Sequence, residues 1–266
     1  MRCTRFAFAL AVLVCVGLDD AVGQLRDAGA SPAIVVRAQR ILDVRSAKFI
    51  EDGAIYVEGE RIKAVGVAAE VLRRAPAAVP VMDLGSVTIL PGLIDCHTHL
   101  LAQLPEGPNA YARNLATKSE AYRALEGAAN ARTTLQAGFT TVRDVGNEGA
   151  RYADVALRDA IDGGLIEGPR MRVATRAVAS IGQYQPFGVS PDLEEFPSGA
   201  QMISGAEEAR RAVREQIGHG ADLIKVYADW DAPTLTLAEL QVVVEEAHKA
   251  GRKVAAHAQK IGRAHV

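Results

Sequence analysis

The sequence predicts an α/β chain in which a small β-rich segment precedes a parallel sheet flanked by helices. Three observations carry this. Between Ala33 and Leu90 the apolar runs are short, β-branched and broken by glycine. After Gly92 strand-like runs alternate with helical ones. The composition, 49% apolar and 23% charged with a net charge of -2, is that of a globular domain with a sizeable core and no basic face for nucleic acid.

The elements follow in order. Arg2 and Arg5 precede an apolar run from Phe6 to Leu18, about the length of a secretory h-region and too short for a membrane span. Small residues at Ala21 and Gly23 predict cleavage after Gly23, so residues 1–23 are expected to be a signal peptide and the protein to be exported, periplasmic or secreted. Cys15 lacks the small preceding residue of a lipidation site, and an uncleaved anchor is the other reading of this segment. Cys3 and Cys15 would leave with the leader. Cys96 would then stand alone, with no internal disulfide available.

Residues 24–90 read as a small β-sandwich-like domain, with Gly53, Gly59, Gly66 and Gly85 as its turns. From residue 91 to 259 the strands are "LIDCHTHL", "FTTVRDVG", "RMRVATRAVA", "ADLIKVYAD" and "RKVAAHA". The helices between them are "SEAYRALEGAANARTTLQAG", "ARYADVALRDAIDGG", "GAEEARRAVREQIGHG" and one that opens on a capping box, Thr236 to Glu239, and closes at Gly251. Such alternation makes either a barrel or a doubly wound sheet. The long irregular stretch after the third strand would face the site end of a barrel.

Strand side chains alternate, so His97 and His99 share one face while Cys96 and Thr98 take the other. Two imidazoles on one strand face can reach one divalent ion, although His-x-His is a short motif that chance also supplies. Lys225 lies on an apolar strand with Leu223 and Tyr227 on its face. Burial frees its amine to form a Schiff base or a carbamate, the alternative being a lysine that snorkels to solvent. His257 ends another short apolar strand, as a ligand or as a core histidine. Arg143 and Asp144 end the second strand, where they orient ligands or substrate or form a structural ion pair. His219, before its strand, and His248, in a last helical turn, are not expected to be ligands.

Taken together, "PGLIDCHTH", Lys225 and His257 resemble the amidohydrolase superfamily, over about Ala33 to Gln259. "TTVRDVGN", "GQYQPFG" and "HGADLIKVYADW" are most similar to its imidazolonepropionase-related, Xaa-Pro dipeptidase-like branch. The resemblance implies a partial TIM-like (β/α)8 barrel, the first five or so βα units, with a small N-terminal β-sandwich domain. It implies two divalent metals, zinc or else manganese, cobalt or iron. His97 and His99 would bind one, His257 the other, and Lys225 as a carbamate would bridge both. A metal-bridging hydroxide would then attack an amide carbon, with one metal polarising the oxygen and metal binding making hydroxide available at neutral pH. Tyr227 would stabilise the oxyanion or hold a substrate carboxylate, or else simply pack; Arg143 would contact substrate.

The implied substrate is a dipeptide or acyl-amino acid. Cyclic-amide hydrolysis or deamination is the alternative within the superfamily, and a binding protein or a lysine Schiff-base lyase the alternatives outside it. The partner is a small molecule, with no nucleic acid, no membrane after signal cleavage, and a homo-oligomer of the full-length parent left open. The family pattern also has a histidine ending strand six and an aspartate ending strand eight, which this sequence does not supply, and five strands do not close a barrel of eight. The chain is therefore expected to be C-terminally truncated and inactive by itself. Residues 260–266, "KIGRAHV", are expected to be a non-native tail, since a common short-read sequencing adapter encodes these residues.

Overall fold

A computed structural model of the chain describes residues 32–103, 106–107, 109–184, 189–190, 192–193, 196–230, 232 and 234–259. The expected signal peptide and the expected tail lie outside the described residues. The chain divides into two compact units between Pro91 and Gly92. Among the described residues no helix is long and apolar enough to cross a membrane.

In the first unit β1 (Ala33–Asp43) pairs antiparallel with β2 (Lys48–Glu58), which pairs antiparallel with β3 (Arg61–Val67). Two short strands, β4 (Val81–Asp83) and β5 (Thr88–Ile89), run parallel to β1 on its other edge. Helix α1 (Ala68–Arg74) covers one face, where Val35, Ala54, Tyr56, Ala64, Ala68 and Val71 form the core. The described residues thus give this unit one sheet and a helix. Gly59 and Gly85 turn the chain with positive φ, as expected. Gly53 and Gly66 instead lie inside β2 and β3, paired in register. A Cβ at Gly53 would sit 2.6 Å from the Ile41 side chain, so this glycine permits close packing rather than a turn.

The second unit carries the expected parallel strands: β6 (Leu93–Thr98), β7 (Phe139–Asp144), β8 (Arg170–Val173), β9 (Ala177–Ser180), β10 (Ala200–Ile203), β11 (Leu223–Tyr227) and β12 (Lys253–His257). They pair as β6-β7-β8 and as β10-β9-β11-β12, every pair parallel. The third expected strand is therefore two. Its lower half, β8, pairs with β7, and its upper half, β9, with β11. Thr175, at φ 58, makes the break, and its N–H donates to the buried Asp154 carboxylate at 2.8 Å instead of to a ladder. Asp222 sews the halves across, donating its N–H to the Val173 carbonyl at 2.8 Å and accepting from the Val173 N–H at 3.1 Å.

Helices α2 (Ala110–Thr117), α3 (Glu120–Gln136), α4 (Ala153–Asp162), α5 (Ala206–Gly218) and α6 (Leu237–Lys249) complete the unit. The sequence reading did not foresee α2 or β10. Ser119 caps α3 through the Tyr122 N–H at 3.2 Å, and α6 starts on the expected reciprocal box between Thr236 and Glu239. One side of the strands is sealed by apolar side chains against the helices, with Ile224, Val226, Val213, Leu240 and Val243 in one cluster. Leu101, Val142, Leu157, Met171 and Val173 form another. Each such side chain stabilises the fold by roughly 1.5–3 kcal/mol through burial. The opposite side of the strands is left for the site.

Candidate active site

Five strand or loop ends converge on a cavity of about 570 Å³ lined by His97, His99, Glu148, Lys225, His257 and the rings of Tyr111, Tyr184, Tyr227 and Trp230. All belong to the second unit. The structure therefore brings together His97, His99, Lys225, His257 and Tyr227, each expected from sequence. His97 and His99 project from the end of β6 to the same side, ring centroids 5.3 Å apart and edge to face. The Nδ1 of His99 lies 2.8 Å from the Gly146 carbonyl, which fixes the proton there and leaves Nε2 as the basic nitrogen.

Lys225 is only 2% exposed, because every residue of β11 is buried. Its amine has no hydrogen bond or ion pair with another described residue and lies over the Tyr227 ring, 5.7 Å from the centroid. Burial, with the Arg143 charge, holds this amine below the ordinary lysine range, and Glu148 acts the other way. His97 and His257 are likewise held below the ordinary imidazole range, by burial first and then by the Lys225 charge. Neutral imidazoles are the form that ligates a metal.

Among the described residues no three His, Cys, Asp or Glu side chains could hold an ion by themselves. The donor set fits a divalent metal only if Lys225 contributes an anionic oxygen ligand beside the imidazoles, and a desolvated amine in the same cavity is the residue that could acquire one.

Arg143, expected to contact substrate, is exposed and is not among the residues lining the cavity; its Nε donates to the Cys96 carbonyl at 2.7 Å, so the guanidinium braces β6. Nor does it pair with Asp144, which as its strand neighbour points to the opposite face. The Asp144 carboxylate is fully buried and accepts the Leu100 N–H at 2.6 Å and the Thr98 hydroxyl at 3.3 Å, securing the chain on both sides of His99.

Sequence reasoning missed Glu148, Tyr111, Tyr184 and Trp230. Glu148 sits just past the quoted "TTVRDVGN", at φ 52. It accepts hydrogen bonds from Tyr111 and Tyr184, both at 2.6 Å to Oε2, and from Tyr227 at 3.4 Å to Oε1. Its Oε1 also lies 3.5 Å from the His99 Nδ1. Burial, and then the Glu148 charge, pushes all three tyrosine hydroxyls up, so they stay protonated donors. The signal in the sequence was the carboxylate set between two glycines in "GNEG", directly after a predicted strand end.

The chain is similar to known proteins over most of its length. Residues 88–265 match the profile of the Amidohydrolase family. The chain is 33% identical to an ochratoxinase of Aspergillus niger over 195 residues, 64% of this chain and 38% of that protein. A shorter stretch of 59 residues is 46% identical to an imidazolonepropionase of Cupriavidus taiwanensis, covering 22% of this chain and 14% of that one. Among solved structures, a Xaa-Pro dipeptidase with bound methionine in its active site superposes with a TM-score of 0.71 at 28% identity, over 85% of this chain and 56% of that chain. The chain thus spans between about two fifths and somewhat over half of the longer relatives it matches.

Proposed function

This chain belongs to the amidohydrolase family, and from that premise we propose a metal-dependent hydrolase that cleaves the amide C–N bond of a dipeptide or an N-acyl amino acid. The observation that carries the reading is Lys225, an amine 2% exposed and without a polar partner among the described residues, in one cavity with His97, His99 and His257. Burial favours the neutral form of such an amine, which adds carbon dioxide with loss of a proton to give a carbamate, an anion able to join the three imidazoles in holding two divalent ions. Bound there, such ions supply Lewis acidity and make hydroxide available at neutral pH.

The chain's own residues do the rest. His99 is held in one tautomer by Gly146, and burial keeps His97 and His257 unprotonated. The Tyr227 hydroxyl, a protonated donor at the end of β11, is available to a developing oxyanion or to a substrate carboxylate. The apolar rings around it exclude water from the reacting amide. Export by the N-terminal segment and a small-molecule substrate belong to the same proposal, supported by the sequence pattern alone.

The test is to express the chain with zinc or manganese and bicarbonate, count bound metal by elemental analysis, and look for the carbamate with carbon-13 bicarbonate by NMR. About two metals per chain, lost in Lys225→Ala and partly restored by a small carboxylic acid, support the reading. Uptake indifferent to Lys225→Ala sinks it. Turnover of Xaa-Pro and N-acyl substrates is then screened, and any turnover by this chain overturns the expectation that it is inactive alone. The local match to imidazolonepropionase favours a second reading, cyclic-amide hydrolysis or deamination, and the same screen with cyclic amides separates it.

A further inference from the structure

The side of the cavity facing the histidines is aromatic. Tyr184 stacks on Tyr227, centroids 4.3 Å apart with 17° between the planes. Trp230 sets its edge against both, at 5.8 and 5.7 Å, and lies 4.2 Å from the His257 ring. The hydroxyls of Tyr111 and Tyr184 are committed to Glu148 at 2.6 Å, that of Tyr227 reaches it only at 3.4 Å, and the remaining surface of the rings is carbon.

The arrangement is built under strain. Glu148 and Tyr184 both hold left-handed backbone, at φ 52 and 56, an unusual state for non-glycine residues that persists only where surroundings impose it. The neighbouring chain is fitted to the cluster as well. A Cβ on Gly199 would lie 2.1 Å from the Tyr111 hydroxyl and 3.0 Å from Glu148 Oε2.

We propose that this wall is a specificity subsite for a planar, apolar side chain of the substrate, an aromatic acyl or amino-acid group, and that Glu148 is the positioning residue that holds it open. The inference rests on the cavity being the substrate site, as proposed above. Aromatic ligands gain edge and stacking contacts there that an aliphatic group of equal size does not. A cationic side chain finds no free carboxylate on this wall, since Glu148 is already engaged by Tyr111 and Tyr184.

Trp230 is the single tryptophan of the chain, so its fluorescence reports this wall directly. The experiment titrates the full 266-residue chain, in chelator and without turnover, with N-acetyl-phenylalanine, N-acetyl-leucine and N-acetyl-arginine. The expected result is a Trp230 response with the phenylalanine compound binding roughly tenfold more tightly than the leucine one. In Glu148→Gln the preference falls to about threefold or less while the urea midpoint is kept. Should that variant fail to fold, Gly199→Ala leaves the carboxylate in place, displaces the Tyr111 hydroxyl and gives the same loss. Equal affinities, tightest binding of the arginine compound, or no response to any ligand overturns the proposal. Because neither metal nor catalysis enters, aromatic preference without metal uptake would sink only the hydrolase reading, and metal uptake without the preference would sink only the subsite.

Discussion

Replacing Lys225 by methionine separates the cost of the site from its use. In the metal-free protein the Lys225 side chain is buried along β11 and reaches the cavity, with no hydrogen-bond or ion-pair partner for its amine among the described residues, and nothing in the packing of β11 requires an amine there. Partly desolvating such a group costs about 1–3 kcal/mol, and methionine has a similar length and carries no charge. Lys225→Met is therefore expected to stabilise the metal-free second unit by that amount, several degrees at roughly 2–4 °C per kcal/mol for a domain of this size. At the same time it abolishes metal uptake. The assay is urea unfolding in chelator followed by Trp230 fluorescence. The pH dependence has a definite sign. Burial lowers the folded-state pKa below the model value of 10.5, so in the interval between the two the unfolded chain binds more protons and wild-type stability rises with pH. The advantage of Lys225→Met is accordingly largest at neutral pH and shrinks as pH approaches 10.5. A midpoint unchanged or lowered at neutral pH, or metal uptake retained by the variant, would refute the reasoning.

Three further outcomes follow from the scaffold. Asp222 accepts from Arg158 at 2.8 Å, from Arg172 at 3.1 Å and from the Val173 N–H; Asp222→Ala strands that N–H and is expected to cost about 2–4 kcal/mol in urea titration. Burial raises the Asp154 carboxyl from 3.8 to about 6. The folded state then binds the extra proton, and wild-type stability falls as pH rises from about 4 to about 7 by about 2 kcal/mol relative to Asp154→Asn, measured as the difference in urea midpoints at those two pH values. Thr236→Ala removes the hydroxyl that caps the Glu239 N–H at 3.3 Å and is expected to cost about 1 kcal/mol, with hydrogen exchange accelerated in the first turn of α6.

Much of this was legible because period and punctuation agree with the fold. The β11 run is apolar on both faces, as a covered parallel strand must be, and the one lysine in it stands out for that reason. His97 and His99 are legible from alternation alone. The break at Thr175 was not, because "RMRVATRAVA" keeps strand-like residues throughout and the break is imposed from outside, by the Asp154 carboxylate on α4. Gly53 misled since a glycine reads the same whether it turns a chain or admits a neighbour's side chain. The brace from Arg143 to β6 was not legible because the sequence gives a side chain's face and not what spends its hydrogen bonds. Glu148 and its tyrosines come from four separate segments, and only folding shows that one carboxylate gathers them.

The divided third strand has a consequence for how such a protein can change. Its lower half is bound into the ladder with β7, while its upper half leans on β10, the element to which the long stretch after Ser180 returns. Residues 181–199 therefore leave and rejoin the scaffold at neighbouring, paired segments, and they carry Tyr184 to the cavity. Insertions or exchanges there would remodel the rim while β8 and the histidines of β6 keep their register. One break in a strand makes the chemistry and the choice of substrate separately heritable.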